Sequence, residues 1–360
     1  MTAYLDCAAA SRPTDDVIAF YTDAMREDYA NQEGVHALAY QARKHLNEAE
    51  KVLLKALSFS PDEYRLLWAS SATECFRILA GFLKGKSVLS STLEHPALTA
   101  NFRRETALQQ LPCDHCGQIV LPSVIPAPEA VIFHHVQSEI GALQDLPRLF
   151  AAFPGALKIS DSVQSAGKLP LPEGADIHII SGVKFGAPGG AAMICRKNSV
   201  HSAKLERFTE KMRSYDYLLS RISVPLCRAM AFAAGICAEE HDESLKRISE
   251  LQQLLKSQLA EIQLYPLLPE HAPQSPYITD FFLPGIQSAV IVRMLSEQGV
   301  YCASGSACAA ESGDPSPALL ALGKSKNDAY SGLRISFDRL STENDVNFLA
   351  FELKKALKNY

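Results

Sequence analysis

The chain has 360 residues, of which 47% are hydrophobic and 21% charged, with a formal net charge of −5. That is the balance of a globular enzyme; no segment concentrates Lys and Arg as a nucleic-acid footprint requires. The most apolar run of small residues, around 229–238, is too short to cross a bilayer, so no membrane association is expected.

In chain order, residues 4–6 read as an isolated strand. Residues 14–30 begin with Thr14 and two acids, a helix entry, and 36–58 repeat apolar positions at helical spacing. The short apolar run 65–69 predicts a buried strand. The helix that follows opens on Ser71-x-x-Glu74, the pattern of a capping box. The runs SVLSS, EAVIFHHV, ALKIS, ADIHIIS and AAMICR predict further buried strands, with helices or loops between most of them. This is an α/β pattern: a large domain with a mostly parallel sheet flanked by helices. After about residue 240 the pattern changes to a long amphipathic helix, strands in PYITDFFLP, GVYCAS and LRISF, and a closing helix over 342–358. The expected division is a large cofactor-binding domain over 12–240 and a smaller α+β domain from 1–11 and 241–360.

The N-terminus carries Asp6 and has no long apolar core, so it does not read as a secretory signal, and a cytoplasmic location is expected. The nine cysteines are scattered through a large chain, which argues for free thiols. Cys113 and Cys116 form one CxxC, but no second ligand pair stands at metal spacing. Asp114 and Gly117 mark the segment as a turn between two short strands, and no metal is expected.

In such a sheet a ligand binds beyond the carboxyl ends of the strands. The polar residues there are Ser70 to Thr73, Glu94 and His95, Ser138 and Glu139, Asp161 and Gln164, and Ser181 and Lys184. The set suits pyridoxal phosphate. Its aldehyde needs an amine, which Lys184 supplies. Its ring nitrogen needs a carboxylate to hold its proton, for which Asp161 is the candidate. Its phosphate suits the helix start at Ala72 and Thr73, with the Ser181 hydroxyl. His95 can stack on the ring. Each residue alone has a plainer role as cap, turn or solvated side chain; the conjunction in chain order favours the ligand.

These segments resemble the cysteine desulfurases, within the class V aminotransferases of pyridoxal phosphate fold-type I. The resemblance lies in YLDCAAASRP, SSATECFRIL, TLEHPAL, HHVQSEIGALQD, SDSVQSAGKLPL, ISGVKFGAPGG, ASGSACAAESGDPS and SGLRISFDRLST. It implies that L-cysteine yields alanine while its sulfur passes to Cys308 as a persulfide. The small residues around Cys308, including Ser304, Gly305 and Ser306, suit an uncovered carrier thiol, whereas Cys302 reads as structural. By the same resemblance Lys184 holds the cofactor and acts as base, Asp161 pairs with the pyridine nitrogen, and Gln164 meets the ring 3-oxygen. His95 and Ser138 face the cofactor, with Ser138 also near substrate, and Arg334 clamps the substrate carboxylate. Ser223 of RISVPL reaches the partner's phosphate in a homodimer. The onward acceptor is an iron–sulfur scaffold or a tRNA-thiolation protein, with no direct nucleic-acid contact.

The sequence departs from the family pattern at Val183, where histidine is usual, at Ser138, where asparagine is usual, and in the order of GAPGG. An aminotransferase, a selenocysteine lyase or a cofactor-binding protein with altered activity on the same scaffold are the alternative readings.

Overall fold

The structure is a computed structural model that describes residues 2–124, 127–214, 216, 218–219, 221–305 and 314–360. After β1 (Ala3–Tyr4) come seven strands: β2 (Tyr64–Ala69), β3 (Ser87–Ser91), β4 (Ala107–Leu111), β5 (Ala130–His134), β6 (Leu157–Asp161), β7 (Ile177–Ser181) and β8 (Ala191–Arg196). They form one sheet in the order β2-β8-β7-β6-β5-β3-β4. Strands β3 to β7 pair in parallel, and β8 runs antiparallel to both β7 and β2.

Strand alternation gives this sheet two buried faces. Leu67 and Ala69 of β2 pack with Ile177 and Ile179 of β7 against Phe76 and Leu79 of the helix Ala72–Phe82. Their neighbours Leu66 and Trp68, with Ile180, face the other way. There they meet Leu53 and Leu54 of the helix Ala37–Ala56 and Met230 of the helix Val224–Glu239. Strands β5 and β7 are buried along their whole length, which is why they read as mainly apolar runs, with His178 the polar exception inside β7.

A second layer has its own core. Strands β9 (Ile278–Phe282), β10 (Val300–Tyr301) and β11 (Gly332–Ser336) form two small sheets, β11 antiparallel to β9 and β10 parallel to β1. Phe281, Leu333 and Ile335 pack there with Ile248, Leu251 and Leu255 of the helix His241–Ala260. Leu349 and Leu353 of the closing helix Glu343–Asn359 complete the cluster. Leu5 and Ala8 belong to the same core, so the first residues of the chain join its last third.

The capping box predicted at Ser71 forms only in part. The Ser71 hydroxyl accepts from the Glu74 N–H at 3.2 Å, but the Glu74 carboxylate accepts from the N–H and hydroxyl of Ser70 instead. A complete box stands at Thr342 and Asp345. The Asp114–Gly117 segment is a turn as expected, with Cys113 bridging Ile119 and Gly117 at φ +71°. Among the described residues, no helix is long and apolar enough to cross a membrane.

Candidate active site

The carboxyl ends of β2, β5, β6 and β7 open onto one cavity of about 290 Å³. Ala72, Thr73 and His95 line one side of it, Asp161, Gln164, Ser181 and Lys184 the sheet side, and Ser138 and Arg334 the side toward the second layer. With Ser71, ten of the residues predicted from strand ends and the late arginine segment thus meet in one place, while Ser70, Glu94 and Glu139 do not line it. Ser223 does not line the cavity; it is exposed at the start of the helix Val224–Glu239. Cys308 lies outside the described residues, as does Ser306.

Lys184 closes a single turn after β7. Its Nζ donates to the carbonyls of Ala8 at 3.0 Å and Ala9 at 2.5 Å. Burial, helped by the nearby cations Lys168 and Arg334, lowers its pKa to about 8. Asp161 ends β6 and accepts from the Val163 N–H at 3.0 Å. Burial raises its pKa to about 7, with the Glu94 carboxylate adding to the rise and His134 and Lys184 opposing it.

His95 caps the helix Pro96–Glu105, its Nδ1 accepting from the Ala97 N–H at 3.1 Å. That bond leaves Nδ1 without a proton and puts the ring hydrogen on Nε2. Burial and then the Lys184 cation lower its pKa, which favours the neutral ring. Gln164 spends one N–H on the Ala8 carbonyl at 2.9 Å. Its Oε1 is buried without a protein partner, as are His134 Nε2 and Glu94 Oε2.

Arg334, buried in β11, donates through Nη2 to Asp6 Oδ1 at 2.7 Å and through Nη1 to the Ser138 carbonyl at 2.9 Å. Ser138 therefore meets the arginine through its backbone. Ser71 serves the amide of Glu74, and the first amides of its helix have no intrahelical partner, so Ala72 and Thr73 present N–H groups at the cavity edge.

Among the described residues no glycine lines the cavity, those after Lys184 included. They let backbone pack on backbone: a Cβ on Gly186 (φ +85°) would sit 3.0 Å from the Arg12 carbonyl oxygen. Gly305 is buried, where a Cβ would meet the Glu139 carboxylate at 2.9 Å. Gly305 is therefore packed, while Ser304 before it is half-buried. Cys302 is buried, with its thiol pushed up to about 12 by burial, as an inert structural cysteine should be.

Sequence reasoning missed three participants. Asp6 holds the cavity arginine, and its signal was only its place in the opening YLD. The Ala8 carbonyl, which accepts from both Lys184 and Gln164, carries no sequence signal at all. His134, the last residue of β5, pairs with Asp161 across the sheet and lines the cavity, its Nδ1 3.0 Å from Oε1 of the Glu94 that strand position had named; the doubled histidine was its one trace.

The aminotransferase class-V family model matches residues 3–349. The chain belongs to the aminotransferase class-V family. Among its relatives in this family is a cysteine desulfurase of Rhodobacter capsulatus, 26% identical over 364 residues that cover 96% of this chain and 93% of the relative. The fold matches a NifS-like protein from Rickettsia africae with a TM-score of 0.87, at 19% identity over 99% of this chain and all of that one. It also matches SspA solved in complex with cysteine, with a TM-score of 0.74, at 20% identity over 95% of this chain and all of that one. Low identity with high overlap says that the fold is shared.

Proposed function

We propose that this protein is a pyridoxal phosphate enzyme that takes sulfur from L-cysteine, releases alanine, and carries the sulfur on Cys308. One observation carries the reading: a partly neutral lysine, a buried aspartate and an arginine face one cavity in a chain whose relatives include cysteine desulfurases.

The cavity's residues fit the cofactor. A buried carboxyl such as Asp161 is costly to ionise alone, and a pyridinium opposite it would draw its pKa back down. The N-terminus of the helix Ala72–Phe82 suits a phosphate dianion, with Thr73 and Ser181 adding hydroxyls. The unmet Gln164 Oε1 and His134 Nε2 mark a wall built for a polar occupant. Pyridoxal phosphate, when bound, supplies an aldehyde that links to amines and a ring that accepts the electrons released at a substrate's α-carbon.

The protein's residues divide the remaining work. Lys184 would hold the cofactor, and its lowered pKa leaves a useful fraction of neutral amine to take the Cα proton near neutral pH. Arg334 would bind the substrate carboxylate in exchange for Asp6. The Cys308 thiolate would attack the substrate sulfur: the S–S bond forms, the Cβ–S bond breaks, and the electron pair stays with carbon. A proton delivered at Cβ and the return of a proton from Lys184 to Cα would complete alanine, and His95 Nε2–H stands in the cavity as a donor for the first. Ser223 is proposed to serve the partner's phosphate in a homodimer. The onward sulfur acceptor is proposed to be a scaffold or tRNA-modifying protein. We also take 12–240 as the cofactor-binding domain and the cytoplasm as the location.

The test is turnover of L-cysteine with alanine and sulfide both measured, in the wild type and in Cys308→Ser. The expected result is alanine production by the wild type and its loss in the variant. Unchanged alanine production by Cys308→Ser would remove the persulfide from the account.

A further inference from the structure

Beyond the cavity, two segments far apart in sequence bring three metal-ligating side chains together. Cys116 Sγ lies 3.5 Å from His115 Nε2 and 3.5 Å from His271 Nε2. All three atoms are within 4.8 Å of one another. We infer that His115, Cys116 and His271 form a second site that binds a divalent ion of zinc type, with its fourth position open.

The spacing is that of a coordination sphere. With Zn–S of about 2.3 Å and Zn–N of about 2.0–2.1 Å, a tetrahedral ion separates sulfur from nitrogen by about 3.5 Å. Both observed S···N distances take that value. The two nitrogens need to stand about 3.4 Å apart on the same geometry; both imidazoles are exposed, so ring rotation can close that edge. Hydrogen bonding accounts for the same two contacts, since the thiol can donate to one imidazole and accept from the Nε2–H of the other; the match to coordination distances and the ligand types are what point to a metal.

The frame is pre-formed. Asp114 Oδ1 accepts from the N–H groups of Cys116 at 2.8 Å and Gln118 at 2.9 Å, which fixes the turn. At Gly117 a Cβ would meet Ala142 Cβ at 2.9 Å, so the turn lies flat on the protein. His271 is set by the next residue: the Ala272 N–H donates to the Pro269 carbonyl at 3.0 Å, and Ala272 shares a buried cluster with Cys116. The backbone is thus set, and the two exposed imidazoles are what a metal would have to order. One thiolate with two imidazoles suits zinc better than the oxygen-seeking magnesium or calcium.

Two other groupings do not qualify. Cys113, the other half of the CxxC, has its Sγ 3.3 Å from the Ala321 carbonyl oxygen instead. The trio Glu27, Asp28 and His45 is already matched by Arg228, which bonds to both carboxylates.

The test uses the full chain, loaded with pyridoxal phosphate, in a Cys308→Ser background that removes the proposed carrier thiol as a competing ligand. Cobalt(II) is the optical probe and zinc the competitor. One equivalent of cobalt should bind with a thiolate charge-transfer band in the near ultraviolet, and zinc should displace it. Adding Cys116→Ser should abolish the band, and His271→Ala should weaken zinc binding at least about tenfold, since even outer-shell changes cost that much. Cys113→Ser should leave both unchanged. Zinc should raise the melting temperature of the parent but not of the His271→Ala protein, whose exposed side chain can be removed without unfolding. A band that survives Cys116→Ser, an equal loss in Cys113→Ser, or no stoichiometric binding would overturn the site. None of these readouts depends on desulfurase turnover, so the outcome stands apart from the fate of that reading.

Discussion

The two walls of the cavity are held by different means. On the sheet wall, Asp161 and Lys184 follow directly from adjacent parallel strands, β6 and β7, whose pairing sets their separation. On the opposite wall, Arg334 is held by Asp6 and by the Ser138 carbonyl, groups 328 and 196 residues away in sequence. The sheet wall is rigid because strand pairing cannot slip without turning buried side chains outward. The other wall rests on an ion pair with Asp6 that a second carboxylate can exchange. Cofactor holding and substrate selection should therefore be separable by mutation.

The largest expected effect is on the sheet wall. Lys184→Ala should lower L-cysteine turnover by on the order of 10³ or more and abolish the visible absorbance of lysine-bound cofactor. A loss under tenfold would move the chemistry elsewhere. Asp161→Asn keeps the shape but not the charge; it should cost roughly 10²–10³ in kcat and weaken cofactor retention, measured by dialysis and absorbance. On the other wall, Arg334→Lys removes the bidentate fork. KM for L-cysteine should rise roughly 10- to 100-fold, the cost of one charge-assisted pair, with cofactor content unchanged. If cofactor is lost together with substrate affinity, the two walls are not independent.

A pH series sharpens the same contrast. Lys184 has a folded pKa of about 8 against an ordinary value of 10.5. The cofactor-free protein should therefore couple with added pyridoxal phosphate at a rate that is half-maximal near pH 8. A midpoint above pH 10 would mean that burial does not tune this amine. Between those two values the native state binds fewer protons than the unfolded chain. This group's contribution to stability therefore rises with pH across the window, is complete above 10.5, and is lost as pH falls through 8. The smallest effect belongs to neither wall: Thr342→Ala, at the remote capping box, should cost about 1 kcal/mol in urea melts and leave KM alone.

Much of the sheet wall was legible in the sequence. Buried parallel strands announce themselves as short apolar runs, and the residue after each run stands at the ligand edge, so Asp161, Ser181 and Lys184 could be named from position alone. The opposite wall was less so. Arg334 came from a family resemblance, and its partner Asp6 from nothing more than an opening segment. The Ser71 box was half right because a glutamate three residues into a helix reaches either of two preceding amides, and only the bend of the entering chain selects Ser70. The CxxC read correctly as a turn, but its neighbour His271 stands 155 residues from Cys116 and could not be paired with it by spacing.

Local pattern along the chain did not name β4 or the helix Val200–Ser214, but it named most strands of the sheet and the lysine and aspartate at its edge. These follow from periodicity and burial, which are local along the chain. Only the tertiary structure decided that Ala8 would accept hydrogen bonds from both Lys184 and Gln164, that Asp6 would hold Arg334, and that two histidines would converge on one sulfur. Those contacts join segments whose separation in sequence carries no information about their distance in space, because the packing of the second layer on the sheet sets it.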